Sequence, residues 1–141
     1  MIRATDVLGP GTAGDTLILD FDARNRRRFA AKTAGGLDIL VDLPRPMAIA
    51  DGARLALEDG RHVVVQAADE DLLRVTPPTA RIAWHLGNRH LAVEIAEDAL
   101  FIRADHVIAE MLAGLGATTE AARRPFQPEG GAYAGHGHAH G

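Results

Sequence analysis

The chain contains no cysteine and no serine, and Lys32 is its only lysine. The first absence removes disulfides, thiol nucleophiles, iron–sulfur ligation and cysteine-based zinc fingers. Without serine there is no serine-hydrolase triad, and any lysine Schiff-base chemistry would rest on one residue. Covalent catalysis is therefore not expected, and the chain reads as a non-enzyme. No stretch approaches the ~20 apolar residues of a membrane helix. The start, Met1-Ile2-Arg3-Ala4-Thr5-Asp6, lacks the charged and apolar regions of a signal peptide, so a cytoplasmic protein with no membrane partner is expected. Aromatic residues make up only 4% and the formal charge is −4, which argues against a nucleic-acid surface and is compatible with a bound cation.

What is present suits a globular protein of one domain or two small ones: 141 residues, 47% of them apolar. Residues 1–70 read as an all-β domain. Strands are expected at Thr16 to Phe21, Arg26 to Lys32 and Leu37 to Val41. A hairpin follows, in which Leu55 and Leu57 lead through Asp59-Gly60 into His62 to Gln66. Short strands with regular turns suggest a sandwich or barrel. Asp69-Glu70-Asp71 reads as a charged break before a strand at Leu72 to Val75.

Pro77-Pro78-Thr79 then gives a stop and a helix cap. A helix over Ala80 to Leu86 presents Ile82, Ala83 and Leu86 on one face, with Gly87 or Asn88 suited to a left-handed end. Strands at Leu91 to Ile95 and Ala99 to Arg103 follow, joined by Ala96-Glu97-Asp98. Asp105 caps a second helix carrying Val107, Ile108, Met111, Leu112 and Leu115 and closed by Gly116; a last strand spans Ala117 to Ala121. This order over residues 71–124 is that of a ferredoxin-like βαββαβ domain, and the whole is α+β. Beyond Pro125 the Pro/Gly-rich residues read as a flexible tail, 125–141, although Pro128-Glu129 beside Phe126 and Tyr133 is also open to a docking role.

That tail ends His136-Gly137-His138-Ala139-His140-Gly141, three imidazoles at alternate positions on small residues. Imidazole is the commonest ligand for borderline transition metals, and the interleaved Gly and Ala distinguish the segment from a purification tag. His106, at the first position of its helix, is a fourth candidate. One imidazole holds a metal poorly, but in a homodimer the two copies can meet across a two-fold axis. Small domains bury limited surface, which also favours a dimer. His85 beside Trp84 is better explained as structural, with Arg89 as a surface partner. His90 is expected to serve a helix end, and His62 stands apart. The basic run Arg24-Asn25-Arg26-Arg27-Arg28 reads as a turn and solvated strand edge offset by Asp20 and Asp22, with a phosphate or acidic-protein contact as the rival reading. An RNA-binding role is disfavoured because the strands of the second domain lack a stacking aromatic pair.

Gly87-Asn88-Arg89-His90, Asp105-His106-Val107 with Met111-Leu112, and Phe126 to Tyr133 occur in an order that resembles the nickel metallochaperones of urease maturation. The resemblance is specific over about residues 79–133; residues 1–70 match in size and β-rich character. It implies a peptide-binding-like β domain before a ferredoxin-like metal-binding domain in a homodimer. Nickel would pass to a complex of a GTPase accessory protein with the urease apoprotein. The histidine of the family's Asp-His-Val motif, an interfacial nickel ligand, falls on His106; the tail histidines of the family correspond to His136, His138 and His140. Ala92 stands where members often have proline, and the tail has fewer histidines than in some relatives. A zinc or copper carrier of the same architecture is the alternative, since nitrogen ligands also suit those metals. Imidazole coordinates only when neutral, with a reference pKa near 6.5, so binding is expected to weaken below about that pH.

Overall fold

The computed structural model describes residues 1–130, which form two compact units, Met1–Ala68 and a second beginning at Asp69. In the first, β1 (Ile2–Pro10), β2 (Thr16–Leu19), β3 (Arg28–Lys32), β4 (Asp38–Asp42), β5 (Ala53–Leu57) and β6 (His62–Ala67) join one sheet in the order β2-β6-β5-β1-β4-β3. The six strands are hydrogen-bonded as one sheet, and its two terminal strands approach each other where Ala34 N, just after β3, donates to Thr16 O. β1–β4 and β2–β6 are parallel; the other neighbours are antiparallel.

Alternation drives the pairing. β5 buries Ala53, Leu55 and Leu57, and β6 buries Val63, Val65 and Ala67, so one face of each strand joins a core with Leu17, Ile39, Val41 and Ile49. Gly60, with φ of 92°, makes their turn. Its N–H donates to Leu57 O, and Asp59 accepts from the Arg61 backbone.

Two features of this unit escape the sequence pattern. β1 buries only Ala4 fully, and its pairing with β5 shifts register twice, so it carries no clean alternation. The strand at Thr16 stops at Leu19 because Asp20 caps a single helical turn, α1 (Phe21–Arg24), accepting from Ala23 N. The basic run is accordingly not a uniformly solvated edge. Arg24 is 4% exposed, with its Nε donating to Leu19 O and its own carbonyl accepting from Ile49 N. Arg27 and Arg28 both reach Asp42, which also receives Arg3, so Asp42 is a further carboxylate that offsets the cluster.

The second unit runs β7 (Asp69–Thr76), α2 (Ala80–Asn88), β8 (Glu94–Ile95), β9 (Leu100–Arg103), α3 (His106–Gly114) and β10 (Thr118–Pro125). Its sheet order is β10-β7-β9-β8 with every neighbouring pair antiparallel. Val75, Leu100 and Ile102 on one face meet Ile82 and Leu86 of α2 and Ile108 and Leu112 of α3. Each helix has the expected cap, Thr79 accepting from Ile82 N and Asp105 accepting from Val107 N and Ile108 N.

Asp69-Glu70-Asp71 is not a break but the first third of β7. The register sets Arg123 opposite Asp71 and Arg124 opposite Glu70, and Arg123 pairs with Asp71 at 2.9 Å. Opposite charges across the ladder make that acidic run compatible with a strand. The end of α2 also differs from expectation. The helix continues through Gly87 and Asn88, and the left-handed residue is His90, φ 59°. His90 N donates to Gly87 O and Leu91 N to Leu86 O, which is a Schellman ending. α3 ends the same way, with Gly116 (φ 86°) donating to Ala113 O and Ala117 to Leu112 O.

Candidate metal centre

His106 is the first residue of α3. The Asp105 carboxylate holds that first turn through Val107 N at 2.9 Å and Ile108 N at 3.2 Å. Because Ile108 and Leu112 turn to the core, His106 and Glu110 fall on the exposed side, as the apolar stripe predicts. Beside it Val107 is 56% exposed, an apolar side chain in water next to a potential ligand.

Among the described residues no group of three His, Cys, Asp or Glu side chains is placed to hold a metal. Among the described residues, then, His106 belongs to no such group. His136, His138 and His140 lie outside the described residues.

The remaining histidines have other surroundings. His85 packs edge-on to Trp84, ring centroids 5.0 Å apart, so its neighbour is the indole. His90 serves the helix end through its backbone. His62 Nδ1 lies 3.3 Å from the Arg54 guanidinium. It also borders an open cavity of about 550 Å³ in the first unit, lined in part by Thr12, Asp15, Gly35 and Arg61. Asp15 is held below the usual carboxylate range by the Thr33 hydroxyl first, then by the N–H groups of Thr16 and Gly35. Its oxygens are thus engaged in pinning the 33–35 turn to the start of β2.

The residues after β10 hold the feature that composition conceals. Phe126 has no exposed surface, and Arg103 lies over its ring at 6.0 Å. Arg124 stacks on Phe101 at 4.1 Å and reaches Glu94 at 2.7 Å. The other oxygen of Glu94 accepts from Gln127 N at 2.9 Å, and Glu129 N donates to Val93 O at 2.8 Å. Residues 126–129 are therefore fastened along β8, where a flexible link was expected. The signal was a lone Phe among Pro, Gln and Glu, legible only once its burial is known.

Comparison with known proteins adds the family. A family model described as the UreE urease accessory protein, N-terminal domain, matches residues 4–68, and its C-terminal counterpart matches residues 61–141. The chain is 50% identical to a urease accessory protein UreE of Bradyrhizobium sp. (strain ORS 278), covering 100% of this chain and 71% of that protein. It is 51% identical to one from Rhodopseudomonas palustris (strain BisB18), over 95% of this chain and 67% of the relative. Against the protein of the same description from Chelativorans sp. (strain BNC1) the identity is 48%, over 98% and 90% of the two chains.

Proposed function

Because the chain belongs to the UreE family of urease accessory proteins, we propose that it is a nickel carrier that supplies Ni²⁺ for assembly of the urease active site and catalyses no reaction. It acts in the cytoplasm as a homodimer and passes the ion to a complex of the accessory GTPase with urease apoprotein. We assign residues 1–70 as a peptide-binding-like β domain, 71–124 as a ferredoxin-like metal-binding domain and 125–141 as the tail. The β10-β7-β9-β8 order, with one helix in each of two crossovers, supports the ferredoxin-like assignment.

The observation that carries the reading is the surface position of His106 beside exposed Val107 on a capped first turn. A two-fold contact that buries Val107 against its copy brings the two His106 rings together, and symmetry then doubles one donor into two. His136, His138 and His140 supply further nitrogens that come on and off as the ion is loaded and passed on. Zinc and copper compete for any such set, Cu²⁺ with advantage.

Nickel titration of the wild type, His106→Ala and a chain ending at Gly135, with the oligomeric state followed by light scattering, tests the assignment. We expect His106→Ala to lose at least tenfold in affinity and the shortened chain to lose affinity or stoichiometry while remaining dimeric. If His106→Ala binds nickel as tightly as the wild type, the interfacial site is wrong. Parallel titrations with zinc and copper, followed by urease activation in a reconstituted mixture, decide which ion is cargo.

A further inference from the structure

Three chain segments meet at one end of the first unit's sheet. Parallel pairing of Thr16 with Val64 sets the start of β2 beside the start of β6, next to the hairpin turn at Asp59-Gly60. The turn between β3 and β4 is drawn to the same end, because Gly35 N donates to the Asp15 carboxylate at 2.9 Å. Between these segments lies the open cavity of about 550 Å³, a size that suits a small ligand. Its floor is the end of the core: Leu57 and Val63 are buried, and the partly buried Leu37 packs against that core.

Acceptors and donors at the border of this cavity are unequal. The Asp15 carboxylate already accepts from the Thr33 hydroxyl and from Thr16 N and Gly35 N. The donors, by contrast, are unspent. Arg61 gives its Nε to Asp59 at 2.7 Å, and its two terminal amino groups meet no acceptor among the described residues. The Thr12 hydroxyl likewise has no partner among them. His62 adds a third donor. A guanidinium only donates, so Nδ1 of His62, 3.3 Å from Arg54, is the accepting nitrogen, and the proton of the neutral ring sits on Nε2.

We infer that this cavity binds a carboxylate carried on a small branched apolar group, with Arg61, Thr12 and His62 as donors and Leu37, Leu57 and Val63 beneath the apolar part. Nickel plays no part in it. Such a ligand covers the apolar floor and brings an acceptor that the fold itself does not supply. An anion on Arg61 also makes the stronger, charge-assisted kind of hydrogen bond. Asp15 sets the orientation, because its negative charge keeps the carboxylate away from its own side of the cavity. Two sources share this chemistry: a free organic acid and the C-terminal residue of a peptide.

Isovalerate and N-acetyl-leucine represent the two sources, and each is titrated against its uncharged amide into the full chain, followed by amide proton–nitrogen correlation spectra. Saturable shifts are expected at Gly14, Gly35 and Gly60, with each acid binding at least about fivefold more tightly than its amide. N-acetyl-leucine binding more tightly than isovalerate assigns the site to a chain end; equal or weaker binding assigns it to a free acid. Arg61→Ala is expected to weaken binding about five- to tenfold and Thr12→Val about two- to fivefold. Asp59→Asn removes the salt-bridge partner of Arg61 without touching the ligand, so it is expected to keep or improve the affinity. The same spectra report whether each variant is folded, and the comparison of acid with amide needs no variant. Amides that bind as tightly as the acids, or shifts that fail to saturate by about 10 mM, overturn the inference. So does an Arg61→Ala variant that binds like the wild type, or a loss in Asp59→Asn equal to that in Arg61→Ala.

Discussion

Asp105→Ala removes the two hydrogen bonds that begin α3, to Val107 N at 2.9 Å and Ile108 N at 3.2 Å. Loss of an N-cap costs about 1 kcal/mol, within a range of about 0.5–2. The carboxylate charge at the positive end of the helix contributes about 0.3–1 kcal/mol more. The sum expected is about 1.5–2 kcal/mol. Asp105→Asn keeps an acceptor oxygen and loses only the charge, so its cost is about 0.3–1 kcal/mol. α3 has nine residues, too few to be helical alone, and burial of Ile108 and Leu112 holds the rest of it in place. The damage should therefore concentrate in the first turn.

Urea unfolding measures these costs. Trp84 is the only tryptophan, sits on α2 of the same unit, and loses its contact with His85 on unfolding, so its fluorescence reports that unit. With a slope near ~1 kcal/mol per molar, expected for so small a unit, the midpoint should fall by about 1.5–2 M for Asp105→Ala and by under ~1 M for Asp105→Asn. Asp105→Ala should also weaken nickel binding, because the frayed turn is the one that carries His106. Identical midpoints for the two variants, or an alanine variant as stable as the wild type, would refute the capping argument.

Three further outcomes follow from the structure. Phe126→Ala empties a site with no exposed surface and should destabilise the second unit by about 3–5 kcal/mol, read by the same unfolding curve. His90→Gly relieves a left-handed non-glycine residue and should stabilise by about 1 kcal/mol, with nickel affinity unchanged because His90 serves through its backbone; a loss of affinity would make it a ligand. Asp15 has a carboxyl held below its ordinary value of 3.8, chiefly by Thr33. Its contribution is therefore complete above about that pH and disappears as pH falls through the lower folded value. The difference in Tm between wild type and Asp15→Asn should be constant from pH 7 to 5 and shrink toward pH 3; a difference that grows on acidification contradicts that sign.

Several features were legible in the chain because they are written within a few residues. Thr79 and Asp105 announce helix starts through bonds to backbone two or three positions on, Gly116 announces an end, and Asp59-Gly60 the hairpin. The stripe of Ile108 and Leu112 is enough to put His106 on the outside. Where the reading slipped, the decisive partner lay far along the chain. Asp69-Glu70-Asp71 is a strand because Arg123 and Arg124 arrive opposite it. Arg24 is buried because Leu19 and Ile49 receive it. The glycine at position 87 was the better left-handed candidate by propensity, yet the core contact of Leu86 and Leu91 carries the helix past it and leaves His90 in that conformation.

The sequence by itself determined the available chemistry: imidazole nitrogen as the prominent donor, no thiol and no serine, and one histidine at the head of a capped helix. Local rules of 3.6-residue periodicity, capping and turn geometry suffice for that, because each joins atoms a few bonds apart. Only the tertiary structure decided the order of the strands, the register that neutralises the acidic start of β7, and the contacts of Glu94 with Arg124 and Gln127 that fasten residues 126–129 along β8. Those depend on which distant segments bury one another's apolar faces, and burial is a property of the folded whole.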